Sequence, residues 1–283
     1  MNNTSKQLKL NASLFDMAVP KVMGIVNVTP DSFFAASKSV SRKAVLNRVE
    51  QILSEGGEIV DVGGYSTRPS ADFVSTEEEI RRLSEMLDAI RKEFPEVIIS
   101  VDTFRSHVAN HVVKNYGVAI INDVGGGTLD GLMFETIADL KVAYVLMHMR
   151  GTPQTMRQKT QYNNVVTDVF RFLEKRLAQL RLLGVNDVMI DPGFGFAKTL
   201  EQNYLILEKL SFFRELNAPL LVGVSRKSMI QELLGVDAAG ALNGTTAVNM
   251  IALMGGASVL RVHDVKEAVE TVKIYTQTFN CKS

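Results

Sequence analysis

The sequence predicts an α/β protein, a closed (βα)8 barrel, on three observations. Short apolar runs rich in β-branched residues recur along the 283-residue chain, eight in all. Segments with helical periodicity separate them. Each apolar run ends on a polar residue, and several of these ends run into glycine or proline turns. Alternating strands and helices make a parallel sheet, and eight such units favour closure over an open sheet. No linker, low-complexity tract or composition shift divides the chain, so residues 1–283 read as one domain with 1–20 as an N-terminal extension.

Taken in order, residues 1–20 are polar, then weakly apolar at Leu8, Leu10, Leu14 and Phe15, and are expected to form a short strand or hairpin closing one end of the core. The strands are expected at 22–26, 58–62, 97–101, 119–121, 143–147, 187–190, 220–224 and 258–262. Between them, residues 76–94 place Ile80, Leu83, Leu87 and Ile90 at helical spacing, and Ser75 with Glu78 reads as a capping box. Residues 165–183 carry Val166, Val169, Phe170, Leu173, Leu177 and Leu180 on one stripe. Residues 241–254 are small and apolar throughout, the composition of a buried helix.

Composition narrows the function classes. Apolar residues make up 46% and charged residues 22%, as in a globular protein. Lys+Arg and Asp+Glu balance at 31 each, so no global field attracts nucleic acid or anionic membrane, and any anion must be recognised locally. The one cysteine, Cys281, excludes a disulfide within the chain and a thiolate metal cluster. With no signal peptide and no long uncharged span, a cytoplasmic location is expected.

The strand ends carry the chemistry. Read to their tips, the strands deliver Asn27, Asp61, Asp102, Asn122, Met147-His148, Asp191, Ser225 and Arg261-Val262-His263. Any one Asp or Asn there serves equally as a helix cap or Asx-turn. Together, on the same ends of different strands, they converge on one mouth. Asp102, Asn122 and Asp191 suit a flat heterocycle bearing N–H groups and a ring carbonyl. Lys227 can donate to ring atoms, and Met147 and Phe196 can pack on the ring faces. Arg261 and His263, two residues apart, suit a phosphate or diphosphate, and Asn27 can share a hard cation with that anion.

Two loops read as mobile and functional, 29–34 after the first strand and 63–70 after the second, each with an aromatic residue among turn residues. Other motifs lead nowhere. His107 and His111 have zinc-pair spacing but no HExxH glutamate and no third ligand, so they read as ordinary helix residues. Gly125-Gly126-Gly127 lacks the dinucleotide-binding spacing and reads as a strand-end turn. There is no nucleophile elbow and no Walker loop.

The ordered series of strand ends and loops resembles the dihydropteroate synthase family. The segments that carry the likeness are Met23-Gly24-Ile25-Val26-Asn27-Val28-Thr29-Pro30-Asp31-Ser32-Phe33, Asp61-Val62-Gly63-Gly64, Ser66-Thr67-Arg68-Pro69, Ser100-Val101-Asp102-Thr103, Ile121-Asn122-Asp123 and Met147-His148-Met149. They continue with Asp191-Pro192-Gly193-Phe194-Gly195-Phe196, Gly223-Val224-Ser225-Arg226-Lys227-Ser228 and Arg261-Val262-His263-Asp264-Val265. The resemblance implies a TIM barrel, a homodimer, and a transferase of folate biosynthesis that sulfonamides target. Such an enzyme joins 6-hydroxymethyl-7,8-dihydropterin diphosphate to 4-aminobenzoate, releasing diphosphate. By matching position it puts Asp102, Asn122, Met147, Asp191, Phe196 and Lys227 on the pterin. Asn27, Arg261 and His263 then fall on the diphosphate, with Mg2+ at Asn27. Phe33, Thr67, Arg68, Pro69 and Ser228 fall on the aminobenzoate. Catalysis rests on Asn27, Asp102, Lys227, Arg261 and His263.

The chain departs from the family pattern at Ala35 and Ala36, which remove a loop carboxylate, at Tyr65 in place of Glu, at Ser70 in place of Gly, and at Ala197 in place of Gly. Two rivals share the pterin-holding Asp and Asn pattern. A methyltransferase domain that passes a methyl group from methyltetrahydrofolate to a corrinoid protein needs neither 66–69 nor Arg261 and His263. A silent pterin-binding scaffold predicts decay of Asn27, Arg261 and His263, all of which stand.

Overall fold

Alternation along each strand decides which side chains meet inside the ring and which meet the helices. The computed structural model describes residues 7–10, 13–27, 38–65 and 74–279, with the backbone alone for 38–41. A hairpin comes first, β1 (Gln7–Leu10) antiparallel to β2 (Ser13–Asp16). The ring strands are β3 (Lys21–Asn27), β4 (Ile59–Gly63), β5 (Ile98–Asp102), β6 (Ile120–Asp123), β7 (Ala143–Met147), β8 (Val188–Asp191), β9 (Leu221–Val222) and β10 (Val259–Val262). They form one eight-stranded sheet in the order β8-β7-β6-β5-β4-β3-β10-β9, and every pair is parallel. Between the two edges, Ile190 bridges Leu220 and its N–H donates to the Pro219 carbonyl at 2.9 Å. The sheet is thereby a nearly closed TIM barrel.

The helices are α1 (Lys38–Ser54), α2 (Thr76–Glu93), α3 (Ser106–Tyr116), α4 (Met133–Leu140), α5 (Val165–Leu182), α6 (Leu200–Glu208), α7 (Ser228–Leu234), α8 (Leu242–Met254) and α9 (Val265–Phe279). Outward residues such as Val60, Ile99, Tyr144 and Leu260 pack against them in one continuous apolar layer. Inward residues Met23, Ile59, Ala143, Val145, Met189 and Val259 form a second cluster with Leu8, Leu10 and Met17. The hairpin therefore closes the end of the barrel where the strands begin, as expected, and the Lys9 N–H ties it to Asp187 at 2.7 Å. The opposite end carries the polar tips.

Close packing accounts for Gly24. A Cβ at that outward position would lie 2.6–2.7 Å from three side-chain carbons of Ile52, so α1 can approach β3 only over glycine. The expected strands match within two residues at each end, and the one that shortens most is 220–224, to Leu221–Val222.

Two helix expectations need correction. The Ser75 side chain accepts the Glu78 N–H at 3.2 Å, but the Glu78 carboxylate turns to Arg81 and Arg82, so only half of the capping box forms. A complete one, Thr199 with Gln202, starts α6. The helix expected at 241–254 is not buried throughout. Thr245, Val248, Asn249, Ala252 and Leu253 face inward, while Ile251 and Met254 are 46% and 60% exposed.

Candidate active site

Register sets the floor of the mouth. Asp102 on β5 pairs with Asn122 on β6 and with Gly63 on β4, so these three stand level. Asp61 pairs with Ser100 one inward layer deeper. Gly63 leaves a gap: a Cβ there would lie 3.6 Å from Asp102 Cβ and 3.8 Å from Asn27 Oδ1, so Asn27 and Asp102 face each other across it. Met147, Asp191 and Arg261 complete the inward set from β7, β8 and β10 by the same alternation.

Arg261 runs across this floor. Its Nε donates to Asp61 Oδ2 at 2.7 Å and its Nη2 to Asp102 Oδ2 at 3.0 Å. The Asn122 amide donates to the same Asp61 oxygen at 3.2 Å. Burial pushes the Asp102 carboxyl up to about 7; the Arg261 charge opposes that rise and the Asp61 charge adds to it. Asp191 is raised by burial, against the pull of Lys227 and a 2.7 Å bond from the Gly193 N–H. Lys227 is lowered to about 8 by burial, against the pull of Asp191. Its ammonium donates to the Phe194 carbonyl and lies 4.7 Å from the Phe196 ring centre.

Around these groups Met147, Met149, Met156 and Ala197 form an apolar cluster, with Phe196 packed against it. An apolar wall beside paired donors and acceptors is the make-up of a pocket for a flat polar ring. The wall is tightly built. A Cβ at Gly193, φ +73°, would lie 2.0 Å from the His148 carbonyl oxygen, so only glycine lets this turn approach the end of β7. Ala197 also has a positive φ, +50°, at a position where the sequence departs from glycine, and its methyl is buried in the cluster.

His263 lies beside the floor. Ser225 Oγ accepts the His263 backbone N–H at 3.1 Å and stands 3.1 Å from Nδ1. A hydroxyl that donates to Nδ1 puts the imidazole proton on Nε2, and one that accepts from Nδ1 puts it on Nδ1. Burial, followed by the Arg261 charge, lowers the imidazole to about 4 and keeps it neutral at pH 7. Arg48 holds this segment through the His263 carbonyl. Arg226, φ +53°, is clamped to Asp264 by bonds of 2.8 and 2.7 Å, which sets the backbone from which Lys227 projects. Ser228 opens α7.

The structure brings together Asn27, Asp102, Asn122, Met147, Asp191, Phe196, Lys227, Arg261 and His263. The expectations at Phe33, Thr67, Arg68 and Pro69 lie outside the described residues, as do Ala35, Ala36, Ser70 and Cys281. Of the second loop, Tyr65 is described, and it is buried rather than presented on a mobile tip. Its hydroxyl accepts from Gln154 at 3.1 Å, and its ring meets Phe104 edge-on at 5.3 Å. His148, at a strand tip, faces outward to Phe172 and Lys198 rather than into the mouth. His111 is engaged by Ser84 and Asn115, an ordinary helix role. The Gly125–Gly127 turn is held by the Asp123 carboxylate at 2.7 Å.

Sequence reasoning missed the carboxylate of Asp61 as the partner of Arg261, the hydroxyl of Ser225 and the ammonium of Lys198. Lys198 is buried against His148 Nδ1 and the carbonyls of Gly193 and Phe196, at 3.1, 2.8 and 3.0 Å. Asp61 and Ser225 carried a signal, standing at strand tips; Lys198 carried none.

Comparison with known proteins agrees with this geometry. The family described as pterin binding enzyme matches residues 23–263. The dihydropteroate synthase of Escherichia coli strain K12 is 42% identical over 269 residues, covering 94% of each chain. Among solved structures, the Yersinia pestis dihydropteroate synthase in complex with a sulfonamide drug superposes with a TM-score of 0.90 at 38% identity, covering 97% of this chain and 100% of that one. The Xanthomonas albilineans dihydropteroate synthase in complex with 7,8-dihydropteroate gives 0.86 at 32% identity, covering 98% and 100%. The chain belongs to the pterin binding enzyme family and, within it, to the dihydropteroate synthases.

Proposed function

We propose that this mouth joins 6-hydroxymethyl-7,8-dihydropterin diphosphate to 4-aminobenzoate, giving 7,8-dihydropteroate and diphosphate. The observation that carries the reading is the meeting of Asp102, Asn122, Asp191, Lys227 and Arg261 on one floor beside an apolar wall. Asp102, Asn122 and Asp191 take the pterin N–H groups and ring nitrogens, and Lys227 donates to the ring carbonyl. Met147 and Phe196 cover the ring faces. Arg261 commits two of its five N–H groups to carboxylates, which leaves donors for the diphosphate. In the tautomer in which Ser225 donates to Nδ1, neutral His263 adds an Nε2–H.

In the reaction the bond between the pterin methylene and the bridging oxygen breaks, and the electron pair leaves with the diphosphate. Arg261 and His263 stabilise the charge that grows there, which is where preorganised donors act most strongly. The methylene is left cationic and shares its charge with the dihydropterin ring, next to the Asp102 and Asp191 carboxyls. The arylamine nitrogen then forms the C–N bond and gives up a proton. No protein nucleophile is needed.

Asn27 suits Mg2+. It presents one amide oxygen at the rim, and among the described residues no three His, Cys, Asp or Glu side chains converge to cage a metal. An ion held there would need further oxygen ligands, of the kind that substrate phosphate and water supply. Bound there, the ion would supply further positive charge to the leaving group. Phe33, Thr67, Arg68, Pro69 and Ser228 belong to the aminobenzoate end of the same reading.

The reading includes one domain over residues 1–283, a cytoplasmic location and a homodimer. Among the described residues no helix is long and apolar enough to cross a membrane. A second copy suits the side of the barrel formed by α6, the 3-10 turn Leu210–Leu216, α7 and α8. Exposed Leu205, Phe212, Leu233, Leu234, Ile251 and Met254 stand there. The test of function is direct. Purified protein supplied with the pterin diphosphate, 4-aminobenzoate and Mg2+ should form dihydropteroate and diphosphate in equal amounts. Tight pterin binding with no product under any condition would overturn the reading.

A further inference from the structure

Asp61 is the one acidic residue of the floor to which the reaction gives no task. It lies one inward layer below Asp102 and Asn122, and it is 0% exposed. Its Oδ2 receives two bonds, from Arg261 Nε at 2.7 Å and from Asn122 Nδ2 at 3.2 Å. Its Oδ1 is buried with no hydrogen-bond partner among the described residues, as is the hydroxyl of Ser100, its neighbour across the sheet.

A carboxylate in this position is an expensive way to fill space. Burying an anion costs free energy that pairing only partly returns, and an orphaned oxygen adds to the cost. Nor is it needed as the sole counter-charge of Arg261, since Asp102 already accepts from Nη2 at 3.0 Å. What Asp61 alone provides is a common anchor. One oxygen fixes the amide plane of Asn122 and the guanidinium plane of Arg261 at the same time.

We propose that Asp61 is the positioning residue that holds the pterin end and the diphosphate end of the site in register, acting through Asn122 and Arg261. The proposal rests on the roles given above to those two residues. It predicts that the two ends communicate through Asp61: a change at the pterin end is felt by the diphosphate, although Asn122 and Arg261 have no bond to each other.

The experiment uses the full chain and its Asp61→Asn variant, which keeps the volume and loses the charge. Calorimetry with inorganic diphosphate and Mg2+ reads one end, and calorimetry with 6-hydroxymethyl-7,8-dihydropterin reads the other. Asp61→Asn should weaken diphosphate binding about tenfold or more and pterin binding about threefold or more, the scale of a lost charge-assisted hydrogen bond. KM for the pterin diphosphate should rise, while KM for 4-aminobenzoate stays within about twofold, since only Asn122 and Arg261 hang on this anchor. A purely structural residue would instead lower the melting temperature and the folded yield and leave these constants unchanged, and that result overturns the proposal.

Should Asp61→Asn fail to fold, Asn122→Ala decides: its affinity for inorganic diphosphate should shift by about threefold or more, and an unchanged affinity overturns the proposal. If Asn122→Ala leaves pterin binding intact and Arg261→Ala leaves diphosphate binding intact, the assignment of the two ends has failed and the role of Asp61 falls with it. That outcome is distinct from a silent Asp61→Asn beside two impaired neighbours.

Discussion

At Asp102 burial and charge pull against each other, and the balance can be measured. Burial holds its carboxyl at about 7 against an ordinary 3.8. Between those values the folded chain keeps a proton that the unfolded chain has lost, so this group's contribution to stability falls as pH rises through that window. Binding runs the other way, because the carboxylate is the form that accepts from a pterin N–H. The activity, kcat/KM for the pterin diphosphate, should therefore decline as pH drops below about 7, and Asp102→Asn should lose that acid limb along with about tenfold or more of activity. A native profile that stays flat down to pH 5 would contradict this role. Residues at this scale were legible in the sequence to the extent that their type announced them. Arg261 read as an anion ligand, but its bonds to Asp61 and Asp102 join residues 200 and 159 positions apart, which no local pattern encodes. Lys198 was opaque for the same reason, since its acceptors are supplied by the ends of two strands and the turn that follows.

At the level of elements, strand and helix follow from period and from the fit between neighbours. Gly24→Ala should push β3 and α1 apart, because its Cβ would fall 2.6–2.7 Å from Ile52. Overpacking of this kind costs about 1–3 kcal/mol, to be read in denaturant unfolding of the variant against the native chain. A native-like midpoint would mean that Ile52 moves aside freely. The strands were legible because both of their faces are buried, which makes each a short continuous apolar run rich in β-branched residues. What the sequence hid was competition and exposure. Glu78 has the spacing of a capping partner for Ser75, yet Arg81 and Arg82 one turn on outbid a backbone N–H. The apolar run of α8 does not say that one face lacks a neighbour within the chain, since Ile251 and Met254 look like core residues until the helix is placed.

For the molecule as a whole, the barrel separates stability from chemistry: the hairpin and the lower apolar cluster close one end, and the polar strand tips open the other. The side carrying Ile251 and Met254 is where a second copy is expected. Light scattering should give twice the chain mass for the native protein and the chain mass for Met254→Asp, with the site chemistry intact; a native monomer would dismiss the dimer. The chemistry of the mouth turns on its leaving-group end. The most direct measurement is single-turnover release of diphosphate from 6-hydroxymethyl-7,8-dihydropterin diphosphate, with Mg2+ and 4-aminobenzoate, in the native chain and in Arg261→Ala. The account predicts stoichiometric release and dihydropteroate formation by the native chain, and a rate lower by about a hundredfold or more in the variant, as for loss of a main stabiliser of developing charge. Equal rates in the two proteins would contradict it, because the residue at the centre of the floor would then play no part in the departure of diphosphate.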